Sequence, residues 1–382
     1  MKGNRKQYKL EEVAEVFTGF PFKGDKYHDS EGTKVVRGEN VTIGNLRWDT
    51  VKYWNEEFDE FEKYALDEGD IVIGMDGSRV GKNRAQIKAN DLPLLLAQRV
   101  ARIRAKKNFD QDFLAHIIKS DVFESYVKAV HTGTSIPHIS GTQLKEFKFQ
   151  STSDSKEQKQ IATILSSLDN KIELNLQMNQ TLEAMAQAIF EEWFVNFNFP
   201  GSKGKLIDSL PKGWRMGKLS EVLEIKYGKD YKHLTNGNIP LYGSGGIMKY
   251  VDAAIYDRES ILIPRKGTLS NLFYTNKPFW SVDTMFYTKI KAEAAGKYLF
   301  YLLKTLDLES MNVGSAVPSL TTEVLNNLLI QIPSIEILKQ FEVLVTSMHE
   351  KLESNIIENQ VLSDIRDSIL PKLMTGKIEV KE

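Results

Sequence analysis

One pattern constrains this chain more than any other. An apolar stripe spaced four, three, four, three runs from Ile161 to Trp193, and it is written again 180 residues later. The first copy reads Ile161, Leu165, Leu168, Ile172, Asn175, Asn179, Leu182, Ala186, Ile189 and Trp193. The second reads Phe341, Val345, Met348, Leu352, Asn355, Asn359, Leu362, Arg366, Ile369 and Leu373. The approach to each stripe also repeats, as "KEQKQIA" and "EILKQFE". A period of 3.5 kept over this length predicts two long helices that pair as a coiled coil.

Each stripe carries two asparagines near its midpoint. Buried amides on a seam weaken it but fix its register and orientation. In an antiparallel pairing with full overlap, Asn175 faces Asn359 and Asn179 faces Asn355. A parallel pairing aligns amides as well, so connectivity has to decide. The first helix ends near Asn196 and is followed by the short linker "FPGSKGK", and the second helix begins near Ser334. Antiparallel helices bring that exit and that start to one end. Parallel helices would force the intervening segment to bridge about 50 Å, the length of such a helix at 1.5 Å per residue.

The segments before each helix repeat too, with drifting offsets. "LEEVAEVFTG" from Leu10 matches "LSEVLEIKYG" from Leu219, and "DIVIGMDGSRVG" from Asp70 matches "SILIPRKGTLSN" from Ser260. "GTSIPHIS" from Gly133 matches "GSAVPSLT" from Gly314. The expected architecture is mixed α/β (α+β), with a pseudo-twofold internal repeat: a globular domain (1–155), a long helix (156–197), a second globular domain (198–333), then a second long helix with its tail (334–382). The two domains would sit at opposite ends of an antiparallel coil acting as a ruler. A split target on a duplex suits such an object, as half-sites about 34 Å apart suit DNA-binding dimers.

Charge follows this division. Residues 1–150 carry 24 Lys+Arg against 23 Asp+Glu, and residues 201–333 carry 17 against 12. Residues 151–200 carry 3 against 7, and residues 334–382 carry 6 against 9. The net charge of −1 therefore hides neutral-to-basic heads and acidic helices, and local fields govern binding to a polyanion. There is no cysteine, which excludes a disulfide framework and a Cys-based metal site. No signal-like apolar segment follows the N-terminus, and no run reaches the roughly 18 apolar residues of a membrane span. A cytoplasmic location is expected.

The layout resembles the specificity subunit of type I restriction–modification systems. The likeness covers nearly the whole chain. It rests on the two repeated helices, on the spacing from Gly133 to Pro137 and from Gly314 to Pro318 before each, and on the ending "SILPKLMTGKIEV". The resemblance implies two target recognition domains, each reading one half of a bipartite double-stranded DNA sequence. It implies that the helices dock two methyltransferase subunits, which carry S-adenosylmethionine and methylate adenine. Nuclease/translocase subunits would join them. The chain itself would hold no cofactor and would not be a catalyst. Two departures from symmetry stand out. Arg366 occupies the place of Ala186, which should loosen one coil layer, and His138 aligns with Ser319.

The loops supply candidate DNA contacts. "GMDGSRVGKN" looks like a phosphate loop but fails its spacing, and Asn83 stands where Ser or Thr should follow the lysine. A simple turn after a strand suits it, as does a DNA-contacting loop bearing Arg79, Lys82 and Arg84. Its counterpart "PRKGTLSN" offers Arg265, Lys266, Thr268 and Asn271. Arginine can bridge guanine O6 and N7, Asn or Gln can bridge adenine N6 and N7, and lysine more often meets phosphate. "VVRGENVTIGNLRW" adds Arg37, Asn40, Asn45, Arg47 and Trp48, though an ordinary polar hairpin would read the same. Lys23 joins this set. In the second domain, Lys229, Tyr231, Lys232, Tyr242 and Ser244 are candidates, the last two in "PLYGSGGIMKY". That stretch lacks the strand–helix setting of a nucleotide-binding glycine loop. The six histidines, His131 and His138 among them, show no metal-ligand spacing.

The helices carry more apolar residues than one seam needs. Ile164, Met178 and Met185 precede seam positions, with Leu344 and Ile365 at equivalent places in the second copy; Leu176, Phe190, Ile356 and Leu370 add to them. They suit a widened face for partner helices, or contact with the heads. Trp193, Phe194 and Phe197 suit packing on a head. Two other functions fit the sequence less well. An adenine methyltransferase would show an Asn/Asp-Pro-Pro-aromatic motif, which is missing. A scaffold that ignores DNA leaves two dissimilar basic loops on one repeated frame unexplained.

Overall fold

The computed structural model describes residues 5–56, 61–133, 136–202, 206–207, 210–312 and 318–380. Gly314, Thr134, Ser135 and the end of the 199–205 linker fall outside this set. The chain divides into two units, one comprising Met1–Asn175 and Ile357–Glu382, the other Leu176–Ile356. The first long helix spans Ser155–Phe190 and the second Ile335–Met374, so each unit contains a stretch of both. Among the described residues, no helix is long and apolar enough to cross a membrane.

In the first unit, a five-stranded sheet is ordered Ala14–Thr18, Val100–Ala105, Ile71–Gly74, Arg84–Gln86 and Ile43–Gly44. A smaller sheet pairs Thr33–Val36 in parallel with Leu94–Leu96, and Arg5–Lys9 pairs antiparallel with Lys148–Thr152. Leu10 opens a single helical turn held between these pieces. Its N–H donates to Phe147 O (2.8 Å), while the Glu12 carboxylate accepts from Lys9 N–H (2.7 Å). These two bonds satisfy donors the short turn would otherwise leave open.

The second unit is built on the same plan. Its four-stranded sheet runs Leu223–Tyr227, Met285–Ile290, Ser260–Pro264 and Phe273–Thr275. Asn236–Gly243 pairs in parallel with Trp280–Ser281, and Arg215–Lys218 pairs antiparallel with Leu329–Ile332. Leu219 N–H donates to Leu328 O (2.8 Å), and Glu221 accepts from Lys218 N–H (2.7 Å). Gly19 and Gly228 hold equivalent places. Their N–H groups donate to Val100 O and Met285 O, and a Cβ on either would collide with the carbonyl of Ala97 or Val282.

The long helices take part in the core of each unit. In the first, Ile161, Ala162 and Leu165 pack with Leu370, Leu373 and Met374 around Phe113, Leu114 and Ile117 of the helix Gln111–Lys119. In the second, Ala186, Phe190 and Phe194 pack with Ile337, Leu338, Phe341 and Val345 around Tyr298, Leu299 and Tyr301 of the helix Gly296–Thr305. The antiparallel pairing is direct. In the first unit Asn175 Nδ2 donates to Asn359 Oδ1 (2.9 Å) and to Glu358 Oε2 (2.8 Å). In the second, Asn355 Nδ2 donates to Asn179 Oδ1 (2.8 Å).

Past Phe190 the first long helix widens into one π-helical turn, Glu191–Val195, and Phe197 at φ 59° turns the chain away. Phe194 and Phe197 then pack on Trp214, while Trp193 meets Phe341.

One expectation for the helices differs from the structure: Phe190 and Leu370 are not part of an outward face, because both are buried in head cores. The layer of Arg366 contains charge. Its guanidinium donates to Asp169 Oδ1 (2.7 Å) and to Asp367 (2.9 Å), so an ion pair fills the layer that Ala186 fills in the other copy.

Candidate nucleic-acid interface

The candidate loops gather where strands end. In the first unit, three segments meet: residues 75–83, 97–100 and 136–140. Met75 N–H donates to Arg99 O, Gly77 N–H to Pro137 O, and Ile139 N–H to Met75 O, each at 2.9 Å. Arg79 stands exposed on the first of these segments. Lys82 is half-buried with its Nζ 3.5 Å from Glu124.

The segment 37–47 abuts this cluster through Arg84 N–H, which donates to Thr42 O (3.1 Å). Lys23 and Arg47 are exposed, Arg47 lying 3.2 Å from Asp49. Arg37 is largely occupied: it pairs with Glu39 (2.7 Å), donates to Thr50 O (2.7 Å), and lies over the Tyr27 ring.

Two of the candidate side chains face the protein interior. Asn40 is 1% exposed. Its Nδ2 donates to Arg47 O (3.0 Å) and its Oδ1 accepts from Arg37 N–H, so it closes the turn rather than facing a ligand. Arg84 is 8% exposed. Its guanidinium donates to Gly81 O and to Lys119 O (2.6 Å), lies over Phe123, and burial lowers its pKa. Both residues have the right chemistry, but their side chains turn inward to backbone carbonyls.

In the second unit the candidates converge on the turn 282–284. Val282 N–H donates to Tyr242 O, Lys229 N–H to Ser281 O, and Arg265 N–H to Thr284 O. Asn271 Nδ2 donates to Ser244 O (3.0 Å), and Arg265 Nε donates to Asp283 O (3.0 Å). Lys229, Lys232, Lys266 and Thr268 are exposed around this turn. Ser244, Gly245, Met248, Asp283 and Thr284 help line an open cavity of about 410 Å³ beside it. Tyr242 is half-buried against Phe273, and burial raises its pKa; the aromatic that lines the cavity is Tyr231.

The sequence reading missed Gln98 and Arg99, both exposed on the turn that corresponds to Asp283 and Thr284. A dipeptide after an apolar run gives no motif. The one available signal was the repeat itself, since "LAQRV" and "SVDTM" occupy matching places before matching strands.

A second cluster sits where each head meets a long helix. In the first unit His116 Nε2 lies 3.0 Å from Ser166 Oγ, and its Nδ1 lies 3.7 Å from Asp169. Burial pushes this imidazole down to about 4, and Lys119 and Arg366 add to the effect. In the second unit Tyr301 Oη lies 2.9 Å from His349 Nε2, and burial likewise lowers His349 to about 4. These groups join elements within one unit and do not face the loop cluster.

Along the helices, Ile164, Met185, Leu344 and Ile365 are exposed, together with Leu176 and Ile356, while Met178 is half-buried. Leu174, Ile357 and Val361 extend the apolar surface beyond the expected positions.

Comparison with known proteins bears on this arrangement. The family model described as the type I restriction modification DNA specificity domain matches residues 3–184 and 211–359, once for each repeat. The chain belongs to the type I restriction–modification specificity family. Its relatives include the type I restriction enzyme MjaIX specificity subunit of Methanocaldococcus jannaschii, 28% identical over 322 residues, which covers 76% of this chain and 74% of that protein. The HindI specificity subunit of Haemophilus influenzae is 25% identical over 411 residues, covering 83% of this chain and 88% of the relative. The crystal structure of a type I restriction–modification S subunit from M. genitalium shares the fold, with a TM-score of 0.61 at 19% identity over 97% of this chain and 96% of that one.

Proposed function

We propose that this specificity-family chain is the non-catalytic DNA-recognition and scaffolding subunit of a methylating and restricting complex. Each head reads one half of a bipartite duplex sequence. The long helices set the spacer between the halves and present their outward apolar face to two methyltransferase subunits, which bring S-adenosylmethionine; nuclease/translocase subunits complete the assembly. The cytoplasm is where these components would meet.

One observation carries the reading. The two units share strand order and turn positions, yet the side chains at matching loop positions differ: Asp76 against Lys266, Arg99 against Thr284, His138 against Ser319. One frame with two sets of loop chemistry is what reading two different half-sites requires. Exposed apolar side chains on the helices of each unit, Ile164 and Ile365 in the first and Leu176, Met185, Leu344 and Ile356 in the second, support the docking role.

Salt dependence tests the DNA part. Affinity of the assembled chain and methyltransferase for a duplex should fall linearly on a log–log plot against salt, as neutralised phosphates release counterions. No affinity for duplex even at low salt would leave a scaffold without a DNA role.

A further inference from the structure

Arg99 is held in a conformation that the fold itself does not require. It is third in a turn closed by Val100 N–H to Ala97 O (3.2 Å), and its φ is 67°. Side chains with a Cβ rarely adopt that region, and such strain concentrates at functional sites. The matching turn of the second unit closes in the same way, Met285 N–H to Val282 O (2.9 Å), with Thr284 at ordinary negative φ. The turn can therefore be made without the strain.

The strained backbone places the guanidinium against a prepared carboxylate. Arg99 Nη1 lies 3.3 Å from Asp76 Oδ2, while the Arg99 side chain stays 73% exposed. Asp76 is fixed from behind, because His138 Nδ1 sits against its Oδ1 and residues 76 and 138 form a β-bridge. Asp76 Oδ2 is buried and accepts no hydrogen bond among the described residues. One edge of the guanidinium thus lies near a fixed carboxylate, while most of the Arg99 side chain is open to solvent, as is Gln98 before it.

This geometry favours a base edge over a phosphate. A carboxylate beside the arginine repels a phosphate. It also draws one edge of the guanidinium toward a fixed charge, which biases the orientation of the planar fork before binding. The fork of N–H donors matches the paired acceptors O6 and N7 that guanine presents in the major groove. We propose that Arg99, with Asp76 as its positioning residue, reads a guanine in the half-site bound by the first unit. The inference rests on the reading that this head binds DNA. The second unit has Thr284, Lys266 and Ser319 at the matching places, so the two heads do not share this contact.

The test uses the full chain co-expressed with its methyltransferase, in a host without other adenine methylation, with methylated sites mapped across the genome. Arg99→Gly suits the positive φ, so it should preserve the turn while removing the guanidinium. The expected result is loss of discrimination, about tenfold or more, at one G·C pair of one half-site, with the other half-site unchanged. Asp76→Asn should relax the same position more weakly. Arg99→Lys keeps the charge but loses the fork, so it should relax that position too, and it decides the matter should Arg99→Gly fail to fold. An unchanged motif in Arg99→Gly, or a uniform fall in methylation at all sites with the motif intact, overturns the assignment. If the unmodified chain directs no sequence-dependent methylation, the head's DNA-reading role falls, and this inference with it.

Discussion

The asparagines at the centre of the helices show how much one residue type can decide. Asn175 and Asn355 are fully buried, and each donates to an asparagine of the other helix. Asn175 Oδ1 and Asn355 Oδ1 accept no hydrogen bond among the described residues, so the layer is imperfectly satisfied. Such a layer trades stability for orientation. Asn355→Ala leaves Asn179 without its donor and should lower unfolding stability by about 1–3 kcal/mol. Replacing Asn355 and Asn179 together by leucine should hold or raise the melting temperature instead. Thermal unfolding of both variants checks this; a fall of equal size in each would show that the amides stabilise outright. These pairs were legible in the sequence because the period places the asparagines on the seam and connectivity makes the helices antiparallel. Asn40 and Arg84 were misread because residue type and loop position do not reveal which way a side chain points. Arg84 lies on a strand and turns inward to two carbonyls.

At the scale of elements, the seam was legible and its surroundings were not. Every seam position is buried or half-buried, as a 3.5-residue period demands. Which neighbouring residues face solvent depends on where a head lands, and periodicity carries no such information. Hence Phe190 is buried while Met185 is exposed. The head–helix joints were invisible for the same reason, since His116 and His349 meet partners far away in sequence.

These joints give the protein a pH response. Each imidazole is held neutral, at about 4 against an ordinary 6.5. The unfolded chain therefore binds protons that the folded one refuses. Their contribution to stability is complete above about pH 6.5 and is lost as pH falls toward 4. For His116, which is 4% exposed, the full swing is on the order of 3 kcal/mol. Denaturant titrations between pH 7 and 4 should show this loss. His116→Asn with His349→Asn should flatten it, and an unchanged slope in that double variant would contradict the assignment.

The whole molecule is one plan written twice, and the duplication itself was the most legible feature of the sequence. Matching motifs landed on matching structures: Leu10 and Leu219 open equivalent capped turns, and Gly19 and Gly228 make equivalent close approaches to a neighbouring strand. What the sequence could not disclose was the surface chemistry of the loops, because that depends on rotamers and turn geometry set after folding. Arg99 is the clearest case: its φ of 67° has no sequence signature. The central claim is that the duplicated heads are independent readers. It is tested most directly by mapping adenine methylation directed by this chain and its methyltransferase partner, before and after residues 1–150 are exchanged for the equivalent segment of a relative. Independent heads give a split motif with an unspecified spacer, of which the exchange changes one half only. A contiguous motif, or both halves changing together, would contradict it.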